Sequence, residues 1–323
     1  MKKVLSFMMV LVLSVFLLMG CQARTENATP ERTTYKIAYI ARAQGDSFAA
    51  WLANAVEEEA EKYPDIMLTV YDGESRNEVI ASHIENAVIN EYDLILLQPL
   101  DSEAQVAPVT EAMNAGVKVV TVNNRINDND RAPAIDADPV EQAARNARLA
   151  VEQVPENGRV VVLMGPAGNM HSDQRRIGWQ KEFFDKRTDV TILGEQIANW
   201  NKDEAMRFME DWIVAFGRVD AVISMNDNMA AGAIEAIQAA GLNDILVYGV
   251  DGTAEAAMLI QEGLMTSTTF QNAYLLAETA LRLSHDLLTG SVEHDIIMID
   301  CPLYTKDNVE ELIEIHRKAG NIE

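Results

Sequence analysis

Six polar residues that lie far apart in the chain stand beside the predicted ends of strands or starts of helices: Asp46, Asn123, Arg175, Asn226, Asp251 and Gln271. A hydroxyl group both donates and accepts, so a site for a polyhydroxylated molecule needs carboxylates, amides and guanidinium groups that bond in pairs. Phe48 and Trp200 fall in comparable loops, where a ring could pack on the C–H face of a cyclic sugar. Taken singly, each polar residue reads more readily as a cap or turn residue, and Phe48 equally well as a core residue. Asn199-Trp200-Asn201 is sharper, a large ring set in a polar loop. The joint occurrence is what suggests a ligand.

Signatures of other chemistry are missing. The chain has no G-x-S-x-G elbow, no G-x-x-x-x-G-K-[ST] phosphate loop and no H-E-x-x-H, and Gly165-Pro166-Ala167-Gly168 lacks the dinucleotide glycine spacing. His83, His171, His285, His294 and His316 are scattered, with no metal-ligand spacing, so neither a metal nor a cofactor is expected. The formal charge is −24, and no basic cluster is present that could hold a phosphate backbone, so no nucleic-acid partner is expected.

The elements that must position these residues alternate between strand and helix, the mark of α/β lobes built on doubly wound parallel sheets. Strands are predicted over Tyr35–Arg42, Met67–Tyr71, Leu94–Leu97, Val117–Val122 and, more weakly, Ala132–Ile135. A second set covers Val160–Met164, Val190–Leu193, Ala221–Ser224, Ile245–Tyr248 and Met265–Phe270. Asp46 or Ser47 can cap the first helix, which carries Phe48, Trp51, Leu52, Ala55 and Val56 at helical spacing. Asp101 or Ser102 can cap another, and further helices begin near Ser172, Asn201, Asn228, Thr253 and Asn272. Asp138-Pro139-Val140-Glu141 combines a capping Asp, Pro at the first helical position and Glu three residues after the cap. The first crossing between lobes is placed there. Lobe one is expected over 35–138 and 272–294, and lobe two over 139–271 and 295–323, with a multi-strand hinge between them.

Residues 1–20 read as an export signal, a basic Met1-Lys2-Lys3 followed by an almost unbroken apolar run to Met19. Leu18-Met19-Gly20-Cys21 resembles a bacterial lipobox, so lipidation of Cys21 and a membrane anchor through residues 21–34 are expected. Cys301, in an apolar run, reads as a small core residue rather than a reactive thiol.

Asp46-Ser47-Phe48, Val120-Thr121-Val122-Asn123, the stretch from Gly165 to Arg175, Asn226-Asp227-Asn228-Met229-Ala230 and Gly249-Val250-Asp251-Gly252-Thr253 together resemble the periplasmic sugar-binding proteins of ABC importers. This is the ribose and glucose/galactose receptor family, and the similarity runs from about Lys36 to Asn308. It implies the type I periplasmic-binding-protein fold and the following ligand contacts. Asp46 would bond a ring hydroxyl, Phe48 and Trp200 would stack on the two faces of the sugar, and Arg175 would bond the ring oxygen. Asn123, Asn226, Asp251 and Gln271 would complete the polar shell. Asn169 and His171 stand where the glucose/galactose receptor has His and Asp, and that receptor's calcium loop is replaced by the turn Pro155-Glu156-Asn157-Gly158.

The resemblance implies a monomeric, lipid-anchored receptor that binds a neutral monosaccharide, an aldohexose such as glucose or galactose, and passes it to an ABC permease. Asp46 and Asp251 facing Arg175 alone would repel an anionic substrate. The alternatives are a sensor coupled to a membrane kinase or chemoreceptor, a pentose receptor, and a sugar-cleaving enzyme using Asp46 and Asp251 as paired carboxylates. Lacking catalytic motifs, the chain is not expected to be an enzyme.

Overall fold

Short β-branched runs separated by capped amphipathic helices leave a chain few options beyond parallel sheets covered on both faces. The computed structural model describes residues 34–127, 132–290 and 296–323. The predicted leader and Cys21 lie outside the described residues.

In the first lobe, β1 (Tyr35–Ala41), β2 (Ile66–Asp72), β3 (Leu94–Leu97), β4 (Lys118–Val122), β5 (Ala134–Ala137) and β11 (Ile296–Ile299) form one sheet in the order β11-β5-β4-β3-β1-β2. In the second, β6 (Arg159–Met164), β7 (Thr191–Ile197), β8 (Ala221–Ser224), β9 (Leu246–Asp251), β10 (Ser267–Phe270) and β12 (Leu303–Thr305) are ordered β12-β10-β9-β8-β6-β7. All pairings are parallel except β10 with β12. Strand order reverses between β1 and β3 and again between β6 and β8, which opens a crevice at the carboxyl ends of the strands in each lobe.

Helices α1 (Ser47–Ala60), α2 (Asn77–Ile89) and α3 (Val106–Asn114) belong to the first lobe. Helices α4 (Pro139–Gln153), α5 (Met170–Trp179, continuing as a π turn to Phe184), α6 (Lys202–Phe216), α7 (Asp227–Ala239) and α8 (Ala254–Glu262) cover the second. Helix α9 (Ala273–Thr289) returns to pack on α1, and α10 (Val309–Lys318) packs on α8. Most starts follow local chemistry: Asp138 accepts from Val140 N and Glu141 N, Asn201 from Glu204 N, and Thr253 from Ala256 N. Asp101 instead accepts from Glu103 N and Ala104 N in a preceding turn, and α3 begins later without a side-chain cap.

Tyr39, Phe48, Leu52, Leu94, Leu96 and Leu276 are fully buried on one face of the first sheet, with Ile40, Ile80, Ile95 and Leu97 on the other. Val160, Val162, Phe183, Val222, Ile223 and Leu312 are fully buried in the second lobe. Each such side chain contributes about 1.5–3 kcal/mol relative to exposure. Cys301 is buried too, and burial pushes its thiol up to about 11.

The chain passes from one sheet to the other between β5 and β6, between β10 and β11, and again between β11 and β12. The third crossing corrects the expected boundary at 294/295. Ile296–Ile299 pairs with Ala134–Ala137 and extends the first sheet, so lobe two resumes only at β12. Helix α9 lies over β4 and β5, and the next described strand, β11, pairs with β5 at the edge of that same sheet.

Candidate functional site

The loops that leave the carboxyl ends of the strands in both lobes meet around one narrow cavity. The first lobe lines it with Arg42, Pro99, Asn123 and Asn124. The second contributes Asn169, His171, Arg175, Trp200, Asn226 and Asp251, and Gln271 sits at the crossing between them. Eight of the ten predicted contact residues are therefore brought to one place.

The other two depart. Phe48 is fully buried in the first-lobe core, edge-on to Trp51 with ring centroids 5.7 Å apart, and does not line the cavity. Asp46 caps α1 through Ala49 N at 2.8 Å, which fixes the helix register, and in that register the second helical residue turns inward. Asp46 itself lines an adjoining pocket at the cleft mouth with Asp72, Asn199, Trp200 and Asn228, and is held by Arg42 at 2.8 Å.

Capping and cavity lining coexist in one side chain at Asn226 and Asn169. Asn226 Oδ1 accepts from Met229 N while its Nδ2 has no hydrogen-bond partner among the described residues. Asn169 Oδ1 accepts from Ser172 N, and its Nδ2 donates across the cleft to Leu100 O at 2.8 Å. Asn123, Trp200 and Asp251 take φ values of +59°, +59° and +128°, conformations that cost about 1–3 kcal/mol each and persist where surrounding contacts enforce them. The Trp200 ring lies directly on the Gly165 backbone, where any Cβ would collide with it.

A chain of amides ties the two halves. Gln98 accepts from Arg42 N and donates to Asn123 Oδ1; Asn123 donates to Gln271 Oε1 at 2.9 Å; Gln271 donates to Asp251 Oδ1 at 2.7 Å. Asp251 Oδ2 and Trp200 Nε1, both buried, have no partner among the described residues. Together with Asn226 Nδ2 they offer one acceptor and two donors to whatever fills the cavity.

Arg175 is held by Gln142 Oε1, Met225 O and His171 Nδ1, with Asp251 Oδ1 at 4.0 Å. Arg42 and Arg175 each lie 5.7 Å from the Trp200 ring centre. Arg42 also answers Asp46, so the expectation that Arg175 alone faces two carboxylates is corrected to two guanidinium groups against two carboxylates. Burial raises the Asp251 carboxyl well above the usual range, against the pull of Arg175, and raises neighbouring Asp227 to about 6. Burial lowers the His171 imidazole despite its contact with Asp136.

Arg42, Gln98, Asn124 and Asp136 were not legible as site residues. Arg42 and Gln98 directly follow β1 and β3, the position that made Asn123 a candidate after β4, so the same rule applied to every strand would have found them. Asp136 lies inside β5, where alternation says only which face it is on.

The sequence profile described as periplasmic binding protein domain matches residues 37–291. A ribose import binding protein of Bacillus subtilis is 27% identical over 312 residues, covering 95% of this chain and 100% of that protein. A xylitol-binding protein of Mycolicibacterium smegmatis is 28% identical over 236 residues, covering 72% of this chain and 67% of that one. The crystal structure of a Caulobacter myo-inositol binding protein bound to myo-inositol superposes with a TM-score of 0.83 at 26% identity, covering 87% of this chain and 97% of that chain.

Proposed function

The chain belongs to the periplasmic binding protein domain family, and from that premise we propose that it binds a neutral sugar or sugar-sized polyol in the cleft between its lobes. It has the type I periplasmic-binding-protein fold of the sugar-binding receptors of ABC importers, which are binding proteins and not enzymes. The observation that carries the ligand proposal is the set of buried atoms without protein partners, Asp251 Oδ2, Asn226 Nδ2 and Trp200 Nε1, at one cavity. Each such atom costs about 1–3 kcal/mol when left unpaired, and a hydroxyl can satisfy either kind.

Trp200 supplies the stacking ring, Arg175 the guanidinium, and Asn123 and Gln271 hold Asp251 in place. Two guanidinium groups balanced by two carboxylates favour an uncharged ligand. With ribose, xylitol and myo-inositol named for relatives, the proposal moves from glucose or galactose to a pentose or a polyol. Thermal-shift and calorimetric titration with ribose, xylitol, myo-inositol, glucose and galactose tests this, since a ligand of the folded state raises the melting temperature. A shift with at least one of the first three supports it. Tighter binding of ribose 5-phosphate than of ribose would refute the neutral-ligand assignment.

The family implies an extracytoplasmic location. The proposal adds a lipid on Cys21, delivery of the bound molecule by a monomer to a permease, and two lobes with their third crossing after β11. Mass spectrometry of the mature amino terminus tests the lipid, and Cys21→Ser is expected to release the protein from membranes.

A further inference from the structure

The resemblance placed His171 among the ligand contacts, yet both of its ring nitrogens are engaged by protein. Nε2 lies 2.7 Å from Asp136 Oδ1 and Nδ1 lies 3.2 Å from Arg175 Nη2. His171 belongs to α5 in the second lobe and Asp136 to β5 in the first, so the Nε2 contact spans the two lobes. Both side chains are buried, Asp136 completely.

The tautomer follows from the partners. A guanidinium has only N–H donors, so Nδ1 must accept from Arg175. The ring proton is then on Nε2, donated to the Asp136 carboxylate. Asp136 Oδ2 in turn accepts from Arg125 Nε at 3.0 Å. The result is a directional relay, Arg175 to His171 to Asp136, that only a neutral imidazole completes. A proton on Nδ1 would point an N–H at the guanidinium.

We propose that His171 is a positioning residue: it couples the orientation of the Arg175 guanidinium in the binding cavity to closure of the two lobes, and does so only when neutral. Gln142 and Met225 O hold Arg175 from within the second lobe, leaving His171 as the support that also touches the first. A ligand that engages Arg175 therefore meets a side chain already braced across the cleft. If the lobes part, Asp136 leaves and the imidazole loses its fixed tautomer. The charged groups facing the ring are Asp136 from β5, Arg125 behind it and Arg175 from α5, with Asp251 of β9 beyond Arg175. Burial and both arginines disfavour a second proton on the ring, while Asp136 favours it.

His171→Gln keeps one donor and one acceptor on a side chain that cannot be protonated. His171→Ala removes both. The ligand arm rests on the proposed sugar site and uses whichever of ribose, xylitol and myo-inositol gives the largest thermal shift. At pH 7.5 the Gln variant is expected to bind within about threefold of the parent and the Ala variant about tenfold weaker or worse. Between pH 7.5 and 5 the parent is expected to lose about tenfold in affinity and the Gln variant to lose clearly less. An equal acid loss in parent and Gln variant, or parental affinity in the Ala variant, overturns the coupling.

A ligand-free arm separates this from failure of the sugar assignment. Unfolded imidazole takes up its proton near 6.5 and the folded ring does so lower, so the unfolded state binds more protons as the pH falls below 6.5. Stability is thereby lost on acidification. The melting temperature of His171→Gln should fall less than that of the parent between pH 7.5 and 5. If none of the three ligands binds but this difference appears, the site assignment fails and the relay stands. If the two proteins melt in parallel, the relay fails.

Discussion

The two lobes share a strand order, but their cleft-facing polar groups differ in how far the protein satisfies them. On the first lobe, Gln98 and Asn123 form one hydrogen-bonded run to Gln271, and Asn124 donates to Pro99 O. On the second, Asn226, Trp200 and Asp251 each keep a buried polar atom without a partner among the described residues. Unpaired buried groups are the expensive ones, so it is the second face that a ligand stabilises directly. On the first face the cavity-lining amides are already paired, and the carboxylate Asp46, at the cleft mouth, keeps Oδ2 without a partner among the described residues.

The same contrast appears between the two rings that looked equivalent in sequence. Phe48 follows its helix cap by two residues and is drawn into the core. Trp200 precedes its cap, Asn201, in a left-handed stretch that keeps the ring on Gly165 and in the cleft.

Exchanging these rings is the strongest way to break the comparison. Phe48→Ala is expected to cost about 3–5 kcal/mol of stability as a core cavity, measured by denaturant unfolding, with the affinity of the folded protein within about threefold of the parent. Trp200→Ala or Asp251→Ala is expected to weaken binding about tenfold or more in calorimetry, equivalent to losing one satisfied group of about 1–3 kcal/mol. Similar losses of affinity for Phe48→Ala and Trp200→Ala would erase the distinction. Gly165→Ala, which pushes the Trp200 ring off its support, should resemble Trp200→Ala in binding.

Asn124→Ala sharpens the picture of the first lobe's paired amides. It should cost about 1 kcal/mol of stability by releasing Pro99 O, with little change in affinity. The smallest effect is a slope. Asp227 is buried and titrates near 6 in the folded state against an ordinary 3.8, so the folded protein holds the extra proton between those values. Its contribution to stability is present below about 3.8 and is lost as the pH rises through 6. Asp227→Asn should make the melting temperature rise more steeply with pH across that window than the parent's does. An unchanged slope would mean that the carboxyl is not perturbed.

Much of the fold was legible in the sequence because its signals are local. Caps act over three residues, and Asp46, Asp138, Asn201, Thr253 and Asn272 each cap the helix they were expected to start. Strand runs set the two sheets, and polar residues at strand ends set most of the cavity, because open parallel sheets bind ligands at those ends. The sequence by itself therefore determined two α/β lobes and six of the residues that line the cavity, Asn123, Arg175, Trp200, Asn226, Asp251 and Gln271, while Asn169 and His171 followed only from the family resemblance.

Tertiary packing alone decided the rest. Whether Phe48 faced core or cleft depended on the rotation of α1 against its sheet, and Ile296–Ile299 joined the first lobe because α9 docks on β4 and β5. The relay from Arg175 through His171 to Asp136 joins residues 35 apart across the cleft. A strand or helix pattern states which face a side chain occupies, but not which partner another lobe will bring against it.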